Sequence, residues 1–145
     1  MKLDLISVFV LVSFFILFLF TKLLKKYKTV KINKIRIKAE IADNVIKKTI
    51  GLMFRKFLPK NEGMLFIFDK EGYHPFWTIN MRFPIDIIWI NKEKRVVKIV
   101  KNAQPFKPIC NLYNPKEKAK YVLEVNANFT TKNKIKVGTK LDFTF

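Results

Sequence analysis

The chain has 145 residues, half of them hydrophobic, and a formal charge of +18 from 29 Lys and Arg against 11 Asp and Glu. That length suits one domain plus an extension, with enough apolar material for a core. One Cys excludes an intramolecular disulfide, and one His with one Cys excludes a four-ligand nitrogen and sulfur zinc site within the chain.

Residues 5–20 are apolar apart from Ser7 and Ser13. With Thr21 to Leu24 added and Lys22 snorkelling, the run approaches the length a bilayer needs. A secretory signal would end in a small-x-small cleavage site, but Lys22-Leu23-Leu24-Lys25-Lys26 follows. The expectation is a single N-terminal transmembrane helix with the lipid bilayer as partner of residues 5–20. Residues 1–28 then form an anchor with a basic linker, and residues 29–145 a β-rich globular domain. Eight Lys and Arg side chains between Lys22 and Lys38, with no acid, favour the cytoplasm by the positive-inside rule.

Val30, Ile32, Ile35 and Ile37 alternate loosely and predict a first strand over Thr29–Ile37. Ala39–Ala42 continues it or pairs back. Asn44 can cap a short helix over Val45–Met53. Gly63–Phe68 is an apolar strand, Asp69–Gly72 has turn composition, His74–Ile79 reads as a second strand and Pro84–Ile90 as a third. Arg95–Val100 forms a hairpin with Ile85–Ile90. Ala103–Asn114 is a long irregular loop holding Cys110. Tyr121–Val125 is another strand, Asn126–Asn133 a short helical turn, and Lys136–Phe145 a closing strand with Leu141, Phe143 and Phe145 on one face. Many short strands separated by turns predict a mainly β fold, a small compact barrel or sandwich with one or two short helices.

Asp86 stands between isoleucines, on the face of Ile88 and Ile90 and opposite Ile85, Ile87 and Trp89. An unpaired carboxylate there would be very costly, so a donor is expected: Asn80, Arg55, Arg82 or backbone N–H groups. Glu124 sits in its own apolar strand in the same manner. Asn80, Asp86, Glu124, Arg55 and Trp77 form the candidate polar cluster. Asp86 and Glu124 could act as an acid–base pair, or could fix strand register through hydrogen bonds. Cys110 with His74 as base, and a carboxylate metal site built on His74, lack supporting spacing, so no metal and no cofactor are expected. Lysine dominates the basic excess and no nucleic-acid motif is present, which argues against a nucleic-acid partner.

The motifs Gly51-Leu-Met-Phe-Arg55, Glu62-Gly-Met-Leu-Phe66, Phe76-Trp-x-x-Asn-x-x-x-Pro-Ile-Asp-Ile87, Ala119-x-Tyr-Val-Leu-Glu-Val-Asn-Ala127 and Ile135-x-Val-Gly138 resemble the uncharacterised family called domain of unknown function 192, from about Ile35 to Phe145. The resemblance implies a compact β-rich domain, often secreted or membrane-anchored, without an established biochemical role. It thereby favours the side of the membrane opposite to the one the lysines favour, so the side stays open. The family usually has Met-Lys where Thr78-Ile79 stand, Thr at Met81, Gly at Asn128 and Asp at Thr139. Two function classes follow. One is a non-catalytic binding or accessory domain held at the membrane with an unknown ligand or protein partner. The other is a hydrolase-like enzyme using Asp86 and Glu124.

Overall fold

The computed structural model describes residues 8–16, 24–105 and 112–144. Residues 8–16 are helical (α1). Among the described residues no helix is long and apolar enough to cross a membrane. Residues 5–7 and 17–20 of the expected anchor, Cys110 and Phe145 lie outside the described residues.

The expected strand over Thr29–Ile37 is two strands. β1 (Tyr27–Ile32) and β2 (Ile35–Ala42) pair antiparallel, with Ile32 opposite Ile35. Asn33 takes a φ of 54°, a left-handed conformation that Asn tolerates through local hydrogen bonding, and the chain reverses there. Asn44 caps α2 (Val45–Ile50) as its sequence predicts: its side chain accepts the Lys47 N–H at 3.0 Å. Gly51 ends the helix with φ 51° and donates its N–H to the Lys47 carbonyl.

The helix carries the chain over to β3 (Glu62–Gly72), which runs parallel to β2. β4 (Ile85–Ile90) and β5 (Val96–Ala103) form the expected hairpin. β6 (Ala119–Asn126) inserts between β4 and β3. A short α3 (Phe129–Lys132) and β7 (Leu141–Asp142) close the chain. The seven-stranded sheet has the order β5-β4-β6-β3-β2-β1-β7. It is a half-barrel whose edges meet at one point: Arg95 bridges Lys140, and the Val96 N–H donates to the Thr139 carbonyl at 2.9 Å.

Two expectations fail in the middle of the chain. Asp69–Gly72 is part of β3, because Gly72 pairs with Ala119 of β6 across an irregularity in register. Tertiary pairing outweighs local turn composition there. His74–Ile79 is not a strand; only Phe76 makes a bridge, to Tyr113. The aromatic run serves as a cover. Phe76 packs edge-on against Phe66 and Trp89, and the Trp89 indole N–H donates to the His74 carbonyl at 2.8 Å.

Side-chain alternation divides the apolar residues between the two faces of the sheet. The inner face collects Val30, Ile37, Leu65, Ile88, Ile90, Leu123, Val125 and Leu141 from β1, β2, β3, β4, β6 and β7. The outer face carries Met64, Phe66, Ile85, Ile87, Trp89 and Val122, covered by Leu52, Leu58, Phe76 and Met81 from the connecting segments. Both faces of the central strands are thus dry, which explains why β4 is buried along its whole length.

Candidate functional site

The strand register lays a row of side chains across the outer face. Glu40 of β2 lies opposite Met64 of β3, Met64 opposite Glu124 of β6, and Glu124 opposite Ile87 of β4. Glu40 and Glu124 are both buried. Two strand spacings separate them, about 10 Å. The backbones of β3 and β6 approach closely beside this row. A Cβ added at Gly63 would lie 2.7 Å from the Glu124 carbonyl oxygen, so only glycine fits.

The turn that follows α2 brings Arg55 to this row. Its Nη2 donates to Glu40 Oε2 at 2.9 Å, a buried carboxylate holding a partly exposed guanidinium. Glu124 has no such partner. Its Oε2 is buried and has no hydrogen bond among the described residues. Burial pushes the Glu124 carboxyl up to about 8, with the Arg55 charge pulling weakly the other way. At neutral pH Glu124 is therefore mostly protonated, a neutral hydrogen-bonding group in apolar surroundings.

Above Glu124 lies a cleft of about 240 Å³. Val45 and Ile50 come to it from α2, Met53 from the turn, Phe66 from β3, and Trp77 and Ile79 from the aromatic cover. The walls are mainly apolar, with Lys48 and Thr49 also in the lining, and the Glu124 carboxyl is the buried polar group, the arrangement expected of a ligand pocket. Ile79 stands where the family resemblance has Lys. That substitution removes a cation from the wall of Glu124's own cleft.

The structure parts the two carboxylates that the sequence suggested as a pair. Asp86 neighbours Val125 in register and faces inward with Ile88, opposite the side that carries Glu124. It is fully buried and accepts four hydrogen bonds: from the N–H of Asn102 (2.8 Å), Asn128 (3.1 Å) and Thr130 (2.8 Å), and from the Thr130 hydroxyl (2.6 Å). It therefore ties β5 and α3 to β4. Of the expected donors, the backbone N–H groups are the ones used, joined by a hydroxyl that the sequence reading missed. Asn128 takes φ 65°, a left-handed position suited to Gly or Asn, which fits Asn where the family resemblance has Gly. Thr139 in turn accepts the Lys136 N–H at 3.0 Å through its hydroxyl, a bond that Asp could also receive.

The remaining candidates divide. Trp77 lines the Glu124 cleft, while Arg55 pairs with Glu40 and acts on Glu124 through its charge. Asn80 is exposed, and its carbonyl accepts the Phe54 N–H at 3.0 Å, so it shapes the cleft wall through its backbone. His74 stacks on Phe68 at 3.6 Å between centroids. Burial and the nearby Lys48 charge lower its pKa, against hydrogen bonds to backbone carbonyls. Glu40 escaped the sequence reading. The signal was present: it sits between Ala39 and Ile41 as Asp86 sits between isoleucines. Among the described residues no group of three His, Cys, Asp or Glu side chains could hold a metal.

Residues 28–143 match the profile of DUF192, described as an uncharacterised ACR. The chain belongs to this family. Related DUF192 proteins include a UPF0127 protein of Pyrococcus furiosus, 34% identical over 76% of this chain and 90% of its own length. Another, from Pyrococcus abyssi, is 32% identical over 73% of this chain and 86% of its own length. The DUF192 domain also resembles two solved structures. A protein of Sinorhizobium meliloti, provisionally described as a transcription regulator, superposes with a TM-score of 0.76 at 25% identity, covering 82% of this chain and 95% of that one. A Novosphingobium aromaticivorans protein of unknown function superposes with a TM-score of 0.71 at 29% identity, covering 81% and 84%.

Proposed function

We propose that this DUF192 member is a membrane-anchored, non-catalytic binding domain. Its cleft takes an apolar group that carries one hydrogen-bonding atom, and Glu124 is the partner of that atom. The observation behind this reading is the buried Glu124 Oε2, unpartnered at the floor of an apolar cleft. A buried polar atom without a hydrogen bond costs stability, so a ligand that supplied the bond would gain from an arrangement already in place. The anchor rests on the apolar run at residues 5–20 and the lysines after it.

Binding is tested with a series of short aliphatic amides and alcohols, following Trp77 emission. Saturable binding by the polar-ended compounds, weakened by Glu124→Leu and not shown by alkanes of equal length, is the expected result. No saturable response from any of them would overturn the binding reading. Alkaline carbonate washing tests the anchor, which fails if full-length protein enters the supernatant.

A second reading keeps the cleft and makes Glu124 a general acid or base. A carboxyl titrating near neutral pH suits proton transfer. Asp86 has no part in it, because it lies on the other face of the sheet. Binding that survives Glu124→Gln while turnover of a bound ester or amide is lost would favour this reading.

A further inference from the structure

The cleft opens at the end of the domain where the chain arrives from the N-terminal segment. β1 begins beside the end of β2, with Tyr27 opposite Glu40, and the Ile41 N–H donates to the Lys26 carbonyl at 2.7 Å. The Lys47 ammonium of α2 donates to the Leu24 carbonyl at 2.6 Å. The helix that lines the cleft is thus fastened to the chain at residue 24. Only Thr21, Lys22 and Leu23 lie between Phe20 and Leu24, and the four steps between those two residues span at most about 14 Å when fully extended.

This end of the domain has the composition of a membrane interface. Val45 is 79% exposed, Phe54 62%, Ile50 38% and Trp77 38%. Val45, Ile50 and Trp77 line the cleft, and Phe54 is held beside it by the Asn80 carbonyl. Exposed apolar residues gathered around one opening mark an interaction surface rather than chance exposure. Lys48 lines the cleft and Lys25 lies beside Ile50 and Gly51, and the nearby acids are engaged: Glu40 by Arg55 at 2.9 Å and Asp43 by Lys26 at 3.8 Å. An apolar centre with a Trp, flanked by Lys48 and Lys25, matches the boundary between acyl chains and anionic head groups.

We propose that the end of the domain formed by α2 and Trp77 docks on an anionic bilayer surface, so that the cleft above Glu124 opens to the lipid phase and receives its ligand from there. The proposal rests on the anchored reading above. Its occupant is the bilayer that the N-terminal segment would span, and the short tether holds this face, rather than the distal Asn33–Lys34 turn, next to the membrane. The ligand class narrows accordingly to a lipid-soluble molecule with an apolar body and one neutral polar group. A water-soluble peptide or metabolite does not fit that route.

The test uses the full chain in nanodiscs of phosphatidylglycerol, with and without bromine on the acyl chains. Its readout distinguishes the two tryptophans, because Trp89 is fully buried and Trp77 is not. Brominated lipid is expected to cut the emission attributable to Trp77 about twofold, as for an interfacial tryptophan. The Trp77→Phe protein, retaining Trp89, should show little quenching. Lys48→Glu should weaken the quenching of Trp77 while the protein stays in the disc. Protein held in discs with no extra quenching over Trp77→Phe would overturn the docking and leave the anchor standing. Protein that never enters discs would remove the anchor and the proposal with it. Trp77 shielded from aqueous iodide only as the number of copies per disc rises would assign the face to a second copy of the chain and also overturn bilayer docking.

Discussion

Glu124 should make the domain less stable as pH rises, and replacing it should abolish that trend. Burial raises its carboxyl from an ordinary 4.5 to about 8. Below pH 4.5 the side chain is protonated in both the folded and the unfolded chain and makes no pH-dependent contribution. Between 4.5 and 8 the unfolded chain loses this proton and the folded chain keeps it, so stability falls as pH rises. Above 8 both forms are ionised and the penalty is constant. Each unit of difference corresponds to about 1.4 kcal/mol, so the 2.5 units from 4.5 to pH 7 amount to roughly 3 kcal/mol. Glu124→Gln buries a neutral amide of the same shape whose cost does not vary with pH. The assay is the denaturant midpoint of wild type and Glu124→Gln from pH 4 to 9, with the full chain in mild non-ionic detergent. Other titrating groups are common to both proteins and cancel in the difference. The expected difference curve rises in favour of Gln through pH 5–8 and then flattens. Parallel curves across that range would show that Glu124 ionises freely in the folded state, and the reasoning about a neutral, unpartnered carboxyl would be wrong.

Ile79→Lys should return a cation to the cleft wall and move the Glu124 transition to lower pH in the same difference experiment, because an opposite charge nearby favours the carboxylate. Asp86→Ala should cost about 3–5 kcal/mol in the denaturant midpoint, since it strands three N–H groups and a hydroxyl in the core. Asp86→Asn keeps the shape and one acceptor oxygen and should cost less than Ala; equal midpoints for Asp86→Ala and wild type would refute the bracing role. Gly63→Ala should lower the unfolding free energy by about 2 kcal/mol, seen as a lower denaturant midpoint, because its methyl would sit 2.7 Å from the Glu124 carbonyl oxygen and the backbones of β3 and β6 would have to part.

The sequence by itself determined the elements whose signal is local. Short runs rich in β-branched and aromatic residues placed β4 and β6, alternation placed β5, and Asn44 placed the start of α2. The isoleucines around Asp86 said that it is interior and must be satisfied, because a buried charge without donors does not persist. Motifs between Ile35 and Phe145 pointed to the family. Pairing partners across the sheet are a different kind of information. Asp69–Gly72 has the composition of a turn, yet it extends β3 because β6 lies beside it. His74–Ile79 has the composition of a strand, yet it covers the outer face because the sheet's apolar surface needs burial there. Period two shows that Asp86 and Ile87 point to opposite faces. It cannot show which residue of β6 stands opposite each, and one step in register would have put Glu124 on Asp86's side of the sheet. Tertiary packing alone decided that Asp86 meets four donors while Glu124 Oε2 meets none among the described residues, since those donors lie on β5 and on the segment around α3, distant in sequence. The cleft likewise exists only where α2, β3 and the aromatic cover converge, and its unpartnered carboxyl is a product of that convergence rather than of any stretch of sequence.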